Sequence, residues 1–237
     1  MALSKLPPKN RLLAKLPAQS YEHFLSQLEE VELPIGKILY HPKQRIDYVY
    51  FPSKSAVSMV NIFENGTTVE VGLVGSDGVV GVSILSGDDV TQHQAIVQMA
   101  GGGWRMKASE FMTTLETNPE LANVVRRFSQ ALFIQVAQTA ACNRLHTIVQ
   151  RLARWLLLCQ DRMESDTLNL THESLSTMLG ARRAGVTLAA GTLQNSGLIK
   201  YRRGSITILN RKKLEQASCE CHGIVKAEYE RLLGRPV

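Results

Sequence analysis

Between Glu173 and Glu215 the chain has no acidic residue, yet that window holds Arg182, Arg183, Lys200, Arg202, Arg203, Arg211, Lys212 and Lys213. An ordinary solvated face mixes both signs. One that does not attracts polyanions. Long apolar runs are also missing: none approaches the ~18 to 20 residues needed to span a bilayer. The opening MALSKLPPKNRLLAKLP breaks its leucines with prolines and lysines and so lacks the continuous stretch of a secretory leader. The expectation is a cytoplasmic protein with no membrane partner. Cysteine is scarce, with Cys142, Cys159, Cys219 and Cys221 alone, which excludes a disulfide-dense scaffold. The six histidines, His23, His41, His93, His146, His172 and His222, form no HxH or HExxH pair. GxSxG, P-loop and GxGxxG patterns are absent too, so no enzyme is expected.

What is present is unevenly distributed. Residues 1 to 141 carry 12 Lys/Arg against 13 Asp/Glu, a net of −1, whereas 142 to 237 carry 15 against 8, a net of +7. From Val31 to Lys107 short β-branched runs alternate with turn residues: KILYHPKQ, DYVYFP, AVSMVNIFENG, TTVEVGLVG, VVGVSIL and QAIVQMAGGG. This pattern predicts a small antiparallel barrel or jelly roll, with a helical lead-in over Asn10 to Gln27. The Asn65-Gly66 pair marks a hairpin because both residue types tolerate positive φ. Gly101-Gly102-Gly103 is read as a turn.

Asn118 and Pro119 then supply an N-cap and first helical residue for a helix running to about Ala141. Its apolar residues form two stripes, Leu121, Val125, Phe128, Leu132 and Val136, with Phe133, Ile134 and Ala137 beside them. Two stripes need two partners, the barrel and a second copy of the helix; the first stripe is assigned to dimerisation, and a helix buried within one chain is the alternative. Cys142-Asn143-Arg144 is expected to interrupt the pattern before another helix over Leu145 to Arg162. The predicted fold class is therefore α+β: a jelly-roll domain over 1–117, a dimerisation helix over 118–141 and a winged helix-turn-helix domain over 142–237.

The last assignment rests on LNLTHESLSTMLGARRAGVTLAAGTLQNSGLIKYRRGSITIL. Thr171 caps a helix with Glu173 in its first turn, and Gly180 supplies a sharp turn. A second helix, Arg182 to Asn195, buries Val186, Ala189, Ala190 and Leu193. It offers Arg183, Ala184, Thr187 and Leu188 outward, the positions of a recognition helix. YRRGSITIL then forms a wing turning at Arg203-Gly204. Arg183 matches the guanine edge, and Thr187 and Leu188 the thymine methyl. Arg182, Lys200, Arg202 and Arg203 are assigned to phosphates, as is His172 beside Thr171 at the helix N-terminus. Gly185 and Gly191 are unfavourable within a helix; tight packing on the preceding helix would account for them.

These residues resemble the Crp/Fnr regulators over nearly the whole chain. The resemblance implies a cyclic-nucleotide-binding-like sensor in the barrel, a dimerisation helix over Pro119 to Ala141 and a winged helix-turn-helix over Thr171 to Leu209. It also implies double-stranded DNA, a second copy and RNA polymerase as partners. The family's base-contacting Arg falls on Arg183, while its usual Glu and second Arg are replaced by Ala184 and Leu188, so the operator should differ. In the sensor, the family's Gly-Glu and Arg-Ser ligand pairs become Gly81-Val82 and Gln92-His93, which leaves a pocket without a carboxylate or guanidinium for a cyclic nucleotide. No cofactor is expected and cyclic AMP is not the expected effector. With no cysteine before Cys142, the family's iron-sulfur branch is excluded.

Cys219-Glu220-Cys221-His222 is a cluster with zinc-ligand chemistry, but a single CxCH without a second ligand pair closes no tetrahedron. Cys219 and Cys221 are therefore read as small residues on a terminal helix, and no metal site is expected. An alternative to a DNA-binding regulator is a small-molecule-binding barrel whose helical tail serves oligomerisation only.

Overall fold

The computed structural model describes residues 10–234; the first nine residues, on which half of the leader reading rests, lie outside them. A 3-10 turn (Leu13–Lys15) and α1 (Ala18–Leu25) lead into the barrel. One of its sheets has the order β1-β7-β3, from Glu29–Leu33, Gly101–Lys107 and Tyr48–Pro52. The other has the order β2-β6-β4-β5, from Ile38–Tyr40, Gln94–Met99, Ala56–Ile62 and Thr68–Val74. All pairings are antiparallel. Val49, Phe51, Val57, Val97 and Met106 alternate inward, and Phe24 and Phe111 close the core from outside with edge-on contacts to Phe51.

The predicted β4–β5 hairpin is present, pairing Ile62 with Thr68. Gly66 alone takes positive φ, while the Asn65 side chain accepts from the Thr67 amide. VVGVSIL is not a strand. Gly81 (φ 94°) and Gly87 (φ 83°) turn the chain in and out of a 3-10 helix, Val82–Ser86, that drops Val82 and Ile84 into the core. The triple glycine is not a turn either but the start of β7. A Cβ on Gly101 would collide with the Lys54 carbonyl, and one on Gly103 would lie 2.9 Å from the Phe51 carbonyl, so glycine lets the chain after β3 pass closely.

After α2 (Ala108–Thr117), α3 spans Pro119–Leu145, capped by the Asn118 side chain accepting from the Leu121 amide. Cys142-Asn143-Arg144 does not interrupt it: Cys142 is fully buried and extends the inward stripe, and the helix ends only where His146 turns extended. The stripe assigned to dimerisation requires correction. Leu121, Val125 and Phe128 are fully buried and Leu132 nearly so, all within the barrel's core, and Val136 lines a cavity against the barrel. The face left outward carries Phe133, 67% exposed, with Ala137 and Ala141.

Thr147 and Gln150 form a capping box for α4 (Ile148–Met163), in which every residue from Arg151 to Gln160 is buried. This helix lies between the barrel and the C-terminal elements, so one core joins Val60 and Leu73 of the barrel with Leu156, Leu179 and Leu193. Beyond it come β8 (Thr167–Asn169), α5 (His172–Leu179), α6 (Arg183–Asn195), β9 (Ile199–Arg202), β10 (Ser205–Ile208), α7 (Arg211–Ala217) and α8 (Cys221–Leu233). The last sheet has the order β8-β10-β9, and α8 packs along α3, with Tyr229 edge-on to Phe128. Among the described residues no helix is long and apolar enough to cross a membrane.

Candidate nucleic-acid interface

Thr171 begins the interface as a capping residue: its hydroxyl accepts from the Ser174 amide while Ser174 Oγ accepts from the Thr171 amide. Leu175, Met178 and Leu179 bury the inner side of α5. Gly180, at φ 53°, then turns the chain against Val69 of β5. The Arg151 guanidinium donates to the Leu179 carbonyl, a free acceptor at the helix end. Arg182 is the N-cap of α6, and Val186, Ala189, Ala190 and Leu193 are buried. Arg182, Arg183, Ala184, Thr187 and Leu188 are exposed on the opposite side, Leu188 at 74%. A Cβ on Gly185 would meet Ile148 Cδ1 of α4 at 2.9 Å, the movable end of a side chain, and nothing of α5, so tight packing on α5 does not account for this glycine. Nothing in the structure explains Gly191.

The wing is a two-residue hairpin with both Arg203 (φ 47°) and Gly204 (φ 79°) left-handed, the requirement of a type I′ turn. Lys200, Arg202 and Arg203 are exposed along it. Arg183 makes a long ion pair with Glu173 at 3.7 Å, both side chains about 70% exposed, which contributes little in water and leaves the guanidinium free to exchange partners.

His172 is placed differently from the expectation. Its ring stacks on Tyr201 at 4.3 Å, Nδ1 meets Thr187 Oγ1 at 3.1 Å, and Nε2 is shielded from solvent. Burial and the neighbouring Arg183 lower its pKa. The ring is wedged between α5, α6 and the wing with Nε2 shut away from solvent, a placement that does not present it to a phosphate.

In the barrel, Gly81, Val82 and His93 line a cavity closed by α3 through Leu132, Phe133 and Val136. Gln92 is exposed and outside it. His93 bonds Tyr40 Oη at 3.1 Å and Thr91 Oγ1 at 2.7 Å, and burial lowers its pKa to about 4. It is neutral near pH 7, so this lining offers an anion no fixed cation. Elsewhere the fold assembles what the sequence separates: Cys142 and His146 at the end of α3 meet Cys219 and Cys221, their donor atoms all within 4.8 Å of one another. His222 is not among them, since its Nε2 bonds Asp161 at 2.9 Å.

Residues 150–217 match the family model of the Crp-like helix-turn-helix domain, which sets aside the reading of the tail as an oligomerisation element only. The global nitrogen regulator of Synechococcus elongatus is 29% identical over 199 residues, 80% of this chain and 89% of that protein. That of Nostoc sp. is 25% identical over 73% of this chain and 82% of its own. Among solved structures, FixK2 of Bradyrhizobium japonicum shares the fold with a TM-score of 0.69 at 16% identity, covering 81% of this chain and 98% of its own. A Crp/Fnr-family regulator from Eubacterium rectale does so at 0.65 and 19%, covering 87% and 96%. Residues 150–217 are thus a Crp-like helix-turn-helix domain, and barrel, long helix and that domain follow one another in a fold shared with FixK2 and with the Crp/Fnr-family regulator from Eubacterium rectale.

Proposed function

We propose that the chain works in the cytoplasm as a homodimer that binds a two-fold symmetric duplex, its two α6 helices entering major grooves about 34 to 36 Å apart. The observation that carries this reading is the outward basic surface of α6 and the wing, two elements with no acidic residue of their own and only the weakly paired Glu173 of α5 at their edge. Arg183 reads guanine, and Thr187 and Leu188 meet thymine methyls. Arg182, Lys200, Arg202 and Arg203 hold phosphates, with the exposed N-terminus of α5 at Thr171 adding backbone donors. RNA polymerase is the further partner at the promoter. The effector is a ligand other than cyclic AMP, since the cavity beside His93 carries no charge to match a cyclic phosphate.

Duplex binding over a salt series tests this. Arg183→Ala should lose about 1 to 3 kcal/mol of discrimination at one base step. Arg202→Ala/Arg203→Ala should weaken all duplexes alike and lower the salt slope by about 2. No duplex binding by the native chain at low salt refutes the reading. The dimer is supported by the outward Phe133 face of α3, and sedimentation should show Phe133→Arg dissociating at least about tenfold more readily, one buried aromatic being worth more than 1.4 kcal/mol. An unchanged dimer would place the seam elsewhere.

A further inference from the structure

We propose that Cys142, His146, Cys219 and Cys221 form a tetrahedral zinc site that clips the start of α8 to the end of α3. Two ligand pairs converge: a Cys-x3-His pair, its members one helical turn apart at the end of α3, and a Cys-x-Cys pair straddling the start of α8. Cys142 Sγ lies 3.5 Å from Cys219 Sγ, and Cys221 Sγ lies 3.5 Å from His146 Nδ1. Zinc bonds of ~2.3 Å to sulfur and ~2.0 Å to nitrogen imply tetrahedral edges of about 3.5 to 3.8 Å. The pocket is therefore close to the size of the ion's coordination shell.

The surroundings match the same chemistry. His146 presents Nδ1 to the sulfurs, while its Nε2 lies 3.2 Å from the carboxylate of Glu220, the residue between the two cysteines. A ligating imidazole is held in this way by a carboxylate on its far nitrogen. Gln138 Nε2 donates to Cys221 Sγ at 3.1 Å. Three thiolates around a divalent ion leave one net negative charge, and the buried Arg154 and Arg151 lie in electrostatic reach of Cys142. A Cys142–Cys219 disulfide would use one of these contacts and leave Cys221, His146 and Glu220 without a purpose. Zinc uses all of them, releasing three thiol protons to solvent. Because the winged domain lies between the two halves of the site, the ion would set how that domain is held against α3.

The test adds Co2+ and then Zn2+ to metal-free, reduced full-length protein. One Co2+ per chain should bind, with the strong visible bands of tetrahedral cobalt and sulfur-to-cobalt charge transfer, and Zn2+ should bleach both. Cys219→Ser and His146→Ala should each weaken binding at least about 100-fold and Glu220→Gln by about 10- to 100-fold, while Cys159→Ser, a buried thiol outside the cluster, leaves it unchanged. Should the cysteine variants fail to fold, the native protein still decides: one zinc should be released as three thiols are titrated with a mercurial. Weak octahedral cobalt bands, substoichiometric binding, or a Cys142–Cys219 disulfide in protein purified with reductant would each overturn the proposal.

Discussion

Arg162→Met is expected to destabilise the chain by about 3 to 5 kcal/mol, a fall of roughly 10 °C in melting temperature for a chain of this size. The Arg162 side chain is 3% exposed and holds several elements together. Its Nε donates to the Leu73 carbonyl of β5 at 3.1 Å, one Nη to the Leu158 carbonyl at 3.2 Å and the other to Gln135 Oε1 of α3. Asp77 lies 3.5 Å away, and the guanidinium stands over the Tyr229 ring of α8 at 5.3 Å. Methionine retains the stem that packs on Gly75, where a Cβ would sit 2.5 Å from the Arg162 Cβ, so the loss reports on the charge and its bonds rather than on volume. The largest contribution is the half-buried Asp77 carboxylate left without its cation. Urea unfolding of Arg162→Met, Asp77→Asn and the double variant isolates it: the double variant should be less destabilised than the sum of the singles. A loss under about 1 kcal/mol would show that the network is not what joins the barrel to α4.

Arg162 also shows why the sequence discloses one half of this molecule better than the other. Local chemistry was legible wherever a few adjacent residues decide the outcome: Asn118-Pro119 opening α3, Gly66 in the β4–β5 loop, Arg203-Gly204 at the wing tip and the buried side of α6. Readings failed where the deciding neighbour is distant in sequence. Gly101 and Gly103 serve the close passage of residues 51 to 54. The stripe Leu121 to Leu132 has the same period whether it meets a barrel or a second helix, and only burial separates the two. Cys219 lacks a ligand partner within its own segment because that partner, Cys142, lies 77 residues earlier. His172 looks available at a helix start until Tyr201 is folded over it. Nothing in the local sequence marks Arg151, Arg154 and Arg162 of α4 as buried; they are enclosed because the C-terminal elements cover the helix on one side and the barrel on the other.

The same enclosure puts a carboxylate where it resists ionisation, and this yields the second large effect. Glu70 of β5 faces α4 and is 6% exposed; Trp155 Nε1 donates to its Oε1 at 2.7 Å and Ser58 Oγ donates to its Oε2. Burial raises its pKa from 4.5 to about 7, against the pull of those two hydrogen bonds and of Arg154 and Arg162. A folded-state pKa above the unfolded value means that the unfolded chain releases its proton first. Glu70's contribution is thus complete below pH ~4.5 and is lost as pH rises toward 7, a loss of about 3 kcal/mol across that interval. Glu70→Gln keeps an acceptor for the Trp155 N–H and removes the titration. Its stability relative to the native chain should therefore be near parity at pH 5 and higher by about 1 to 3 kcal/mol at pH 8, read from urea midpoints at unit steps of pH. The comparison cancels the histidines, which both proteins share. Because Glu70 and Trp155 join the barrel sheet to the helix that carries the winged domain, the gain should appear in unfolding events that separate β5 from α4, and the protection factors of the amides in those two elements, corrected for the intrinsic rise of exchange with pH, should fall with pH in the native chain alone. Parallel stability profiles for the two proteins would show that Glu70 ionises as an ordinary carboxylate despite its burial.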